Sequence, residues 1–177
     1  MTSLHFNGFH TAFGDFTVVW DHSEKIKRIY LPGKSVTLRR DFPLAEPAVN
    51  PNISSVSEDI IRSIDGHDVR FNLSLVALED CSFFQRKVLL AEYGIPRGYV
   101  STYRRIAEHI GCPGGARAVG GALAANPFPI IIPCHRAVRS DGALGGYQGG
   151  TDMKRRLLAM EGLGFIRGKV DMKRVYY

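Results

Sequence analysis

Apolar positions along this chain follow two rhythms. Between residues 11 and 31 they cluster as β-branched and aromatic runs. Phe16-Thr17-Val18-Val19-Trp20 is followed by the polar Asp21-His22-Ser23-Glu24, and Lys27-Arg28-Ile29-Tyr30-Leu31 returns before Pro32-Gly33. This predicts a β-hairpin. Prolines and charges from Arg39 to Pro51 break any period and predict an irregular connection. Ser57 to Ile64 puts Ile60, Ile61 and Ile64 on one helical face and stops near Gly66. Val69 to Leu78 alternates Phe71, Leu73 and Leu75, which predicts another strand.

Beyond Glu79-Asp80-Cys81-Ser82 the rhythm becomes helical. Ser82 is a natural N-cap for a helix over 83–93, with Phe84, Val88 and Ala91 as its buried stripe. Pro96 and Gly98 interrupt, Ser101 or Thr102 caps the next helix over 103–110, and Gly111-Cys112-Pro113-Gly114-Gly115 turns the chain into a helix over 116–125. Helix, glycine turn, helix is the helix-turn-helix pattern. Gly120 and Gly121 inside the second helix each cost roughly 1 kcal/mol relative to alanine. A helix this slim serves close packing against another helix or entry into a nucleic-acid groove, with Arg117 as its only large side chain near the start. The last clear helix runs over 151–161, with Lys154, Arg155 and Arg156 exposed and Leu157, Leu158 and Met160 partly buried. Glu161 in its final turn opposes the helix dipole, which points to a partner elsewhere. The basic tail 164–177 carries no pattern that assigns it an element.

The expected architecture is therefore an α/β domain over 1–80, a small antiparallel sheet with a helix, followed by a mainly α domain over 81–177. Charge divides the same way. Residues 1–80 hold 8 Lys+Arg against 11 Asp+Glu, and residues 81–177 hold 15 against 6, net −3 and +9. The second half is suited to a polyanion. Three cysteines without CxxC spacing indicate neither a disulfide framework nor a zinc knuckle. His5, His10, His22 and His67 show no ligand spacing, and no metal site is expected. No apolar run is long enough for a membrane span, and MTSLHFNGFHTAF lacks a signal-peptide core, so an intracellular, cytoplasmic protein is expected.

Chemistry concentrates at Pro133-Cys134-His135-Arg136. Ile130-Ile131-Ile132 predicts a short buried strand with Cys134 at its end, before the glycine-rich 142–150. A thiol of ordinary pKa is mostly protonated at neutral pH and needs a base. Adjacent residues do not readily face each other along a strand, so a water between Cys134 and His135, with a carboxylate on the far ring nitrogen, satisfies the geometry.

The string IPCHR, with ANPFPII before it and DGALGGYQGG after it, resembles the active-site signature of the O6-alkylguanine-DNA alkyltransferases. IPRGYVSTY (95–103), ARAVGGALAANP (116–127) and LLAMEG (157–162) extend the likeness in register over about Phe84 to Gly162. The resemblance implies direct DNA repair: an alkyl group moves from O6 of guanine, and from O4 of thymine, onto Cys134, stoichiometrically and without a cofactor. It implies a Glu161–His135–water–Cys134 relay, with Asn126 as the hinge amide tying the recognition helix to the active-site strand. It places that helix in the minor groove, with Ala116, Gly120 and Gly121 against DNA and Ser101 nearby. Arg117 is inserted where the flipped base leaves the stack, and Tyr103 crowds the adjacent phosphate. Tyr147, Gln148, Gly149, Pro133 and Ala137 would form the base pocket. The implied partner is double-stranded DNA bound by a monomer, with no membrane. Arg104 stands where relatives often carry glycine or glutamine, which implies an added phosphate contact. Ala137 stands where valine is common, which implies a roomier pocket. A catalytically silent lesion binder, an alkylation-sensing regulator and a cysteine hydrolase are the alternatives.

Overall fold

The computed structural model describes residues 3–177, which fall into two compact units. One comprises the chain up to Asp80 together with Pro127–Ile131, the other Cys81–Asn126 with Ile132–Tyr177. Pro127–Ile131, expected in the second domain, counts with the first because the Ile29 N–H donates to the Pro127 carbonyl at 2.8 Å.

The first unit is built on a four-stranded sheet, β3-β2-β1-β4, of strands β1 (Leu4–Thr11), β2 (Gly14–Asp21), β3 (Ile26–Tyr30) and β4 (Glu46–Pro47). The expected hairpin is β2–β3, antiparallel with a register shift at Val19/Trp20. Sequence reading missed β1, whose mixed, half-buried positions around Gly8 give no clean alternation. The sheet is also not purely antiparallel, because β4 pairs parallel to β1. Between them the chain forms α1 (Leu38–Asp41), whose Leu38 packs with Val19 and Tyr30.

Helix α2 runs Pro51–Ile64, six residues longer at its start than the apolar pattern indicates. Asn50 caps it, accepting from the N–H of Asn52 at 2.9 Å and of Ile53 at 3.1 Å. Pro51 fills the first helical position, where a missing N–H costs nothing. The expected strand over 69–78 is absent. Two 3-10 turns, Leu73–Leu75 and Leu78–Asp80, occupy that stretch, and only a bridge between Ile26 and Val76 remains. Asn72 dictates this locally, since its side chain accepts from the Ser74 N–H and curls the backbone away from extension.

The second unit packs helices α3 (Phe83–Tyr93), α4 (Tyr103–His109), α5 (Ala116–Ala124) and α6 (Gly150–Met160) around two-residue strands β5 (Ser101–Thr102) and β6 (Ala137–Val138). Ser82 caps α3 through the Gln85 N–H, and Thr102 caps α4 through the Arg105 N–H. The tail is ordered by pairing: β7 (Phe165–Ile166) and β8 (Lys169–Val170) form a hairpin. Val170, Leu163, Leu158, Leu144, Val138 and Val100 make one apolar cluster, against which Phe165 and Val175 pack. No helix of the described residues is long and apolar enough to cross a membrane.

The capping geometry at α2 has a measurable consequence. Asn50→Ala removes the Oδ1 that accepts both capping bonds, and an expected loss of about 1 kcal/mol in chemical denaturation follows. An unchanged midpoint would show that Pro51 alone starts the helix.

Candidate functional site

The isoleucine run is buried, but it is not a strand. Ile130 takes a positive φ of 73°, which no β-strand accommodates, and the chain turns there. Cys134 therefore opens a 3-10 turn, Cys134–Arg136, closed by the Arg136 N–H donating to the Pro133 carbonyl at 2.8 Å. Successive side chains on such a turn point about a third of a revolution apart. Cys134 and His135 accordingly look in different directions from adjacent positions.

His135 looks toward the C-terminal end of α6. Its Nε2 lies 2.8 Å from Oε1 of Glu161, and both side chains are 5% exposed or less. Arg136 grips the same carboxylate from a second direction, donating Nε to Oε2 and Nη2 to Oε1, each at 2.9 Å. Its Nη1 donates to the Ile95 carbonyl at 2.6 Å. Burial pushes the Glu161 carboxyl up, but the bonds it accepts from His135 and from the Arg136 guanidinium overrule it and hold it down at about 2. Burial lowers the His135 pKa despite Glu161, so the ring is neutral at neutral pH. A neutral imidazole facing an ionised carboxylate through Nε2 carries its proton there. Nδ1 is then an acceptor, buried and making no hydrogen bond among the described residues. The sequence assigns Arg136 no role of its own, and its guanidinium joins His135 in keeping the carboxylate ionised.

Cys134 is 5% exposed, and burial pushes its thiol up to about 12, partly opposed by a hydrogen bond from the Asn126 side chain. Asn126 is completely buried. Its Nδ2 donates to the Ile132 carbonyl at 3.1 Å, and its own carbonyl accepts from Gln148 Nε2 at 2.7 Å. One side chain and one carbonyl thus tie the end of α5, the approach to Cys134 and the glycine-rich loop together.

Cys134 opens onto a cavity of about 780 Å³ within the second unit. Of the expected residues, Tyr103, Ala116, Arg117, Gly120, Tyr147 and Gln148 line it. Gly121, Gly149, Pro133, Ala137 and Ser101 do not. Ser101 is fully buried in β5, so its side chain offers no DNA contact, which corrects that expectation. Ala137 is also fully buried, and Gly149 instead caps α6. The Tyr147 hydroxyl is buried without a partner, and its ring meets His135 edge-on at 6.3 Å.

Lys154 is the largest correction. Expected on the surface, it is completely buried. Its Nζ donates to the carbonyls of Ala137 at 2.7 Å, Leu144 at 2.5 Å and Gly146 at 3.2 Å, which pins β6 and the glycine-rich loop to α6. Burial brings its pKa down to about 8, against the pull of Cys134 and Glu92. The sequence held a signal, because Lys154 falls at helical spacing between Met153, Leu157 and Leu158, inside the buried stripe. Glu92 on α3 is also fully buried.

A protein-family model described as "6-O-methylguanine DNA methyltransferase, DNA binding domain" matches residues 83–163. The chain is 41% identical over 150 residues to a methylated-DNA–protein-cysteine methyltransferase of Methanothermobacter thermautotrophicus, covering 84% of this chain and 80% of that one. It is 55% identical over 76 residues to one from Pyrobaculum aerophilum, covering 43% of this chain and 50% of that one. Among solved structures, Mycobacterium tuberculosis OGT in complex with DNA superposes with a TM-score of 0.75 at 31% identity, covering 89% of this chain and 92% of that one. The O6-methylguanine-DNA methyltransferase of Pyrococcus kodakaraensis superposes with 0.68 at 26% identity, over 90% and 99%.

Glu92 makes the stability of this unit pH-dependent in a stated direction. Burial, opposed by Lys154 and Arg136, raises its pKa from the ordinary 4.5 to about 8. A group raised on folding supports the fold below its unfolded value and loses that support as pH climbs through the folded value. Glu92→Gln is thus expected to match the parent in thermal unfolding at pH 5 and to exceed it at pH 8.5. Equal unfolding temperatures at both pH values would show that the carboxyl ionises freely.

Proposed function

The chain belongs to the methylated-DNA–protein-cysteine methyltransferase family, and on that premise we propose that it repairs DNA by moving the alkyl group of O6-alkylguanine onto Cys134. The observation that carries this reading is the orientation of His135. Glu161, held ionised by its bonds from His135 and Arg136, fixes the ring proton on Nε2 and leaves Nδ1, on the residue next to the cysteine, as a buried acceptor that can take a proton.

In the proposed transfer a water bridges Nδ1 and the Cys134 thiol and relays its proton to the imidazole. Sγ forms a bond to the alkyl carbon while the bond from that carbon to O6 breaks. The proton lost by the thiol passes to the departing guanine, so the balance closes without a cofactor. A positioned base of this kind contributes typically ~10²–10⁴-fold. The thioether is a poor leaving group, which makes the transfer stoichiometric and self-inactivating. The same geometry accepts O4-alkylthymine, whose reacting carbon sits on an equivalent exocyclic oxygen.

The α4–turn–α5 segment acts in this reading as a minor-groove helix-turn-helix. The glycines of α5 support it. A Cβ built on Gly121 would meet nothing within 4 Å, and one on Gly120 would meet only Tyr103 at 3.9 Å. Packing inside the chain therefore gives no reason for them, and a surface reserved for an outside partner does. Arg117, exposed at the start of α5 and lining the cavity, fills the stack when the base leaves it. Tyr103, also on the cavity, crowds the neighbouring phosphate and promotes rotation. Tyr147 and Gln148 receive the base, and Asn126 links that loop to the recognition helix. The reading requires only double-stranded DNA as partner.

Mixing the protein with a duplex carrying one O6-methylguanine and reading intact mass tests this directly. One methyl group per chain is expected on the parent protein and none on Cys134→Ala, which still binds the duplex. A mass gain in the variant, or continued turnover beyond one equivalent, would contradict the assignment.

A further inference from the structure

The cationic side chains lining the Cys134 cavity are Arg117 and Arg139. Arg117 fills the stack in the proposed transfer, and Arg139 has no task in it. Arg139 follows β6 and is exposed. Among the described residues it makes no side-chain hydrogen bond or ion pair, whereas Arg136, Arg97 and Arg155 each donate to a carbonyl of this chain.

The backbone that carries Arg139 is firmly held. Its N–H donates to the Ala143 carbonyl at 2.8 Å, and its carbonyl accepts from Gly142 N–H at 2.9 Å. Gly142 takes a φ of +80°, and its carbonyl accepts from the Val170 N–H at 2.9 Å. A Cβ on Gly142 would come within 2.8 Å of the Val170 carbonyl, so the turn lies tight against β8. Asp141 adds a hydrogen bond from the Ala143 N–H and an ion pair with Lys169 at 2.7 Å. The result is an unpartnered guanidinium on a rigid mount at the edge of a cavity.

What would such a group bind? Deep in the cavity the groups are a buried thiol and a buried tyrosine hydroxyl, a setting for a neutral base rather than a charge. A nucleotide whose base enters leaves its backbone phosphate outside, where the guanidinium is. Arginine's planar fork matches phosphate oxygens and is weakly hydrated, so little is lost on contact. The charge of Arg139 is also felt at the Tyr103 hydroxyl, the group assigned above to the neighbouring phosphate.

We propose that Arg139 is a phosphate-binding residue of the cavity mouth, holding the backbone phosphate beside the nucleotide whose base is inside. This rests on the base-in-cavity reading above. It makes Arg139 a positioning residue that anchors the strand while Arg117 fills the gap left in the stack.

The test compares the parent, Arg139→Ala and, as a control remote from the cavity, Arg167→Ala. Each is measured on O6-methylguanine duplexes with native phosphates or with a single uncharged methylphosphonate on either side of the lesion. Arg139→Ala is expected to bind the native duplex about tenfold more weakly, with a salt slope smaller by about 1. One methylphosphonate position should weaken the parent and Arg167→Ala by a similar factor and leave Arg139→Ala unaffected. If every methylphosphonate costs Arg139→Ala as much as it costs the parent, or the salt slope is unchanged, the assignment is overturned. Methyl transfer by the parent separates the premises: a parent that gains no methyl group removes the repair reading and this proposal with it. A parent that does, beside an Arg139→Ala variant identical to it, removes only the role of Arg139.

Discussion

The hydrogen bond between His135 and Glu161 is the constraint on which the site depends, and it is unfavourable before its surroundings are counted. A carboxylate at the C-terminal end of a helix opposes the dipole, and a carboxylate at 5% exposure has lost most of its water. Arg136 offsets both. Its three bonds to the carboxylate and a fourth to Ile95 join the end of α6, the Cys134–Arg136 turn and the segment after α3 into one network. With every acceptor position on Glu161 met by a donor, the ion pair has the full complement of bonds that a buried pair requires. The tautomer of His135, and hence the existence of a base at Nδ1, follows from that arrangement.

Lys154 does for the loop what Arg136 does for the turn. Three carbonyls from β6 and the glycine-rich segment converge on one ammonium, so a stretch with little side-chain packing of its own is fixed in place. Glycine at 145 suits the same purpose. With φ at +69° and a Cβ position 2.7 Å from the Tyr103 hydroxyl, a larger residue there would displace the tyrosine from the cavity wall. Beside these fixed walls, burial keeps the Cys134 thiol protonated at neutral pH.

The reading from residues alone reached the helices of the second unit almost to the residue, because Ser82 and Thr102 announce themselves as caps and Gly111–Gly115 as a turn. The expected pairing of His135 with Glu161 came through motifs in register rather than through periodicity, and the two side chains meet at 2.8 Å. Sequence reading failed where polar side chains redirect the backbone. Asn50 starts α2 well before its apolar stripe, and Asn72 bends a stretch that alternates like a strand. The isoleucines at 130–132 have strand propensity, yet Ile130 sits at positive φ, a choice made by tertiary packing that no local pattern records. Lys154 and Glu92 failed for a different reason. A charged residue is assigned to the surface by default, and its burial is visible only once the carbonyls and helices around it are in place.

The most direct measurement of the account is the protonation state of His135 itself, read from nitrogen–proton correlations of its imidazole ring in the unalkylated protein at pH 7. The expected result is a neutral ring with its proton on Nε2 and a bare Nδ1, because burial lowers the His135 pKa from its ordinary value. An imidazolium at pH 7, or a neutral ring protonated on Nδ1, would contradict it, because neither leaves Nδ1 free to accept a proton.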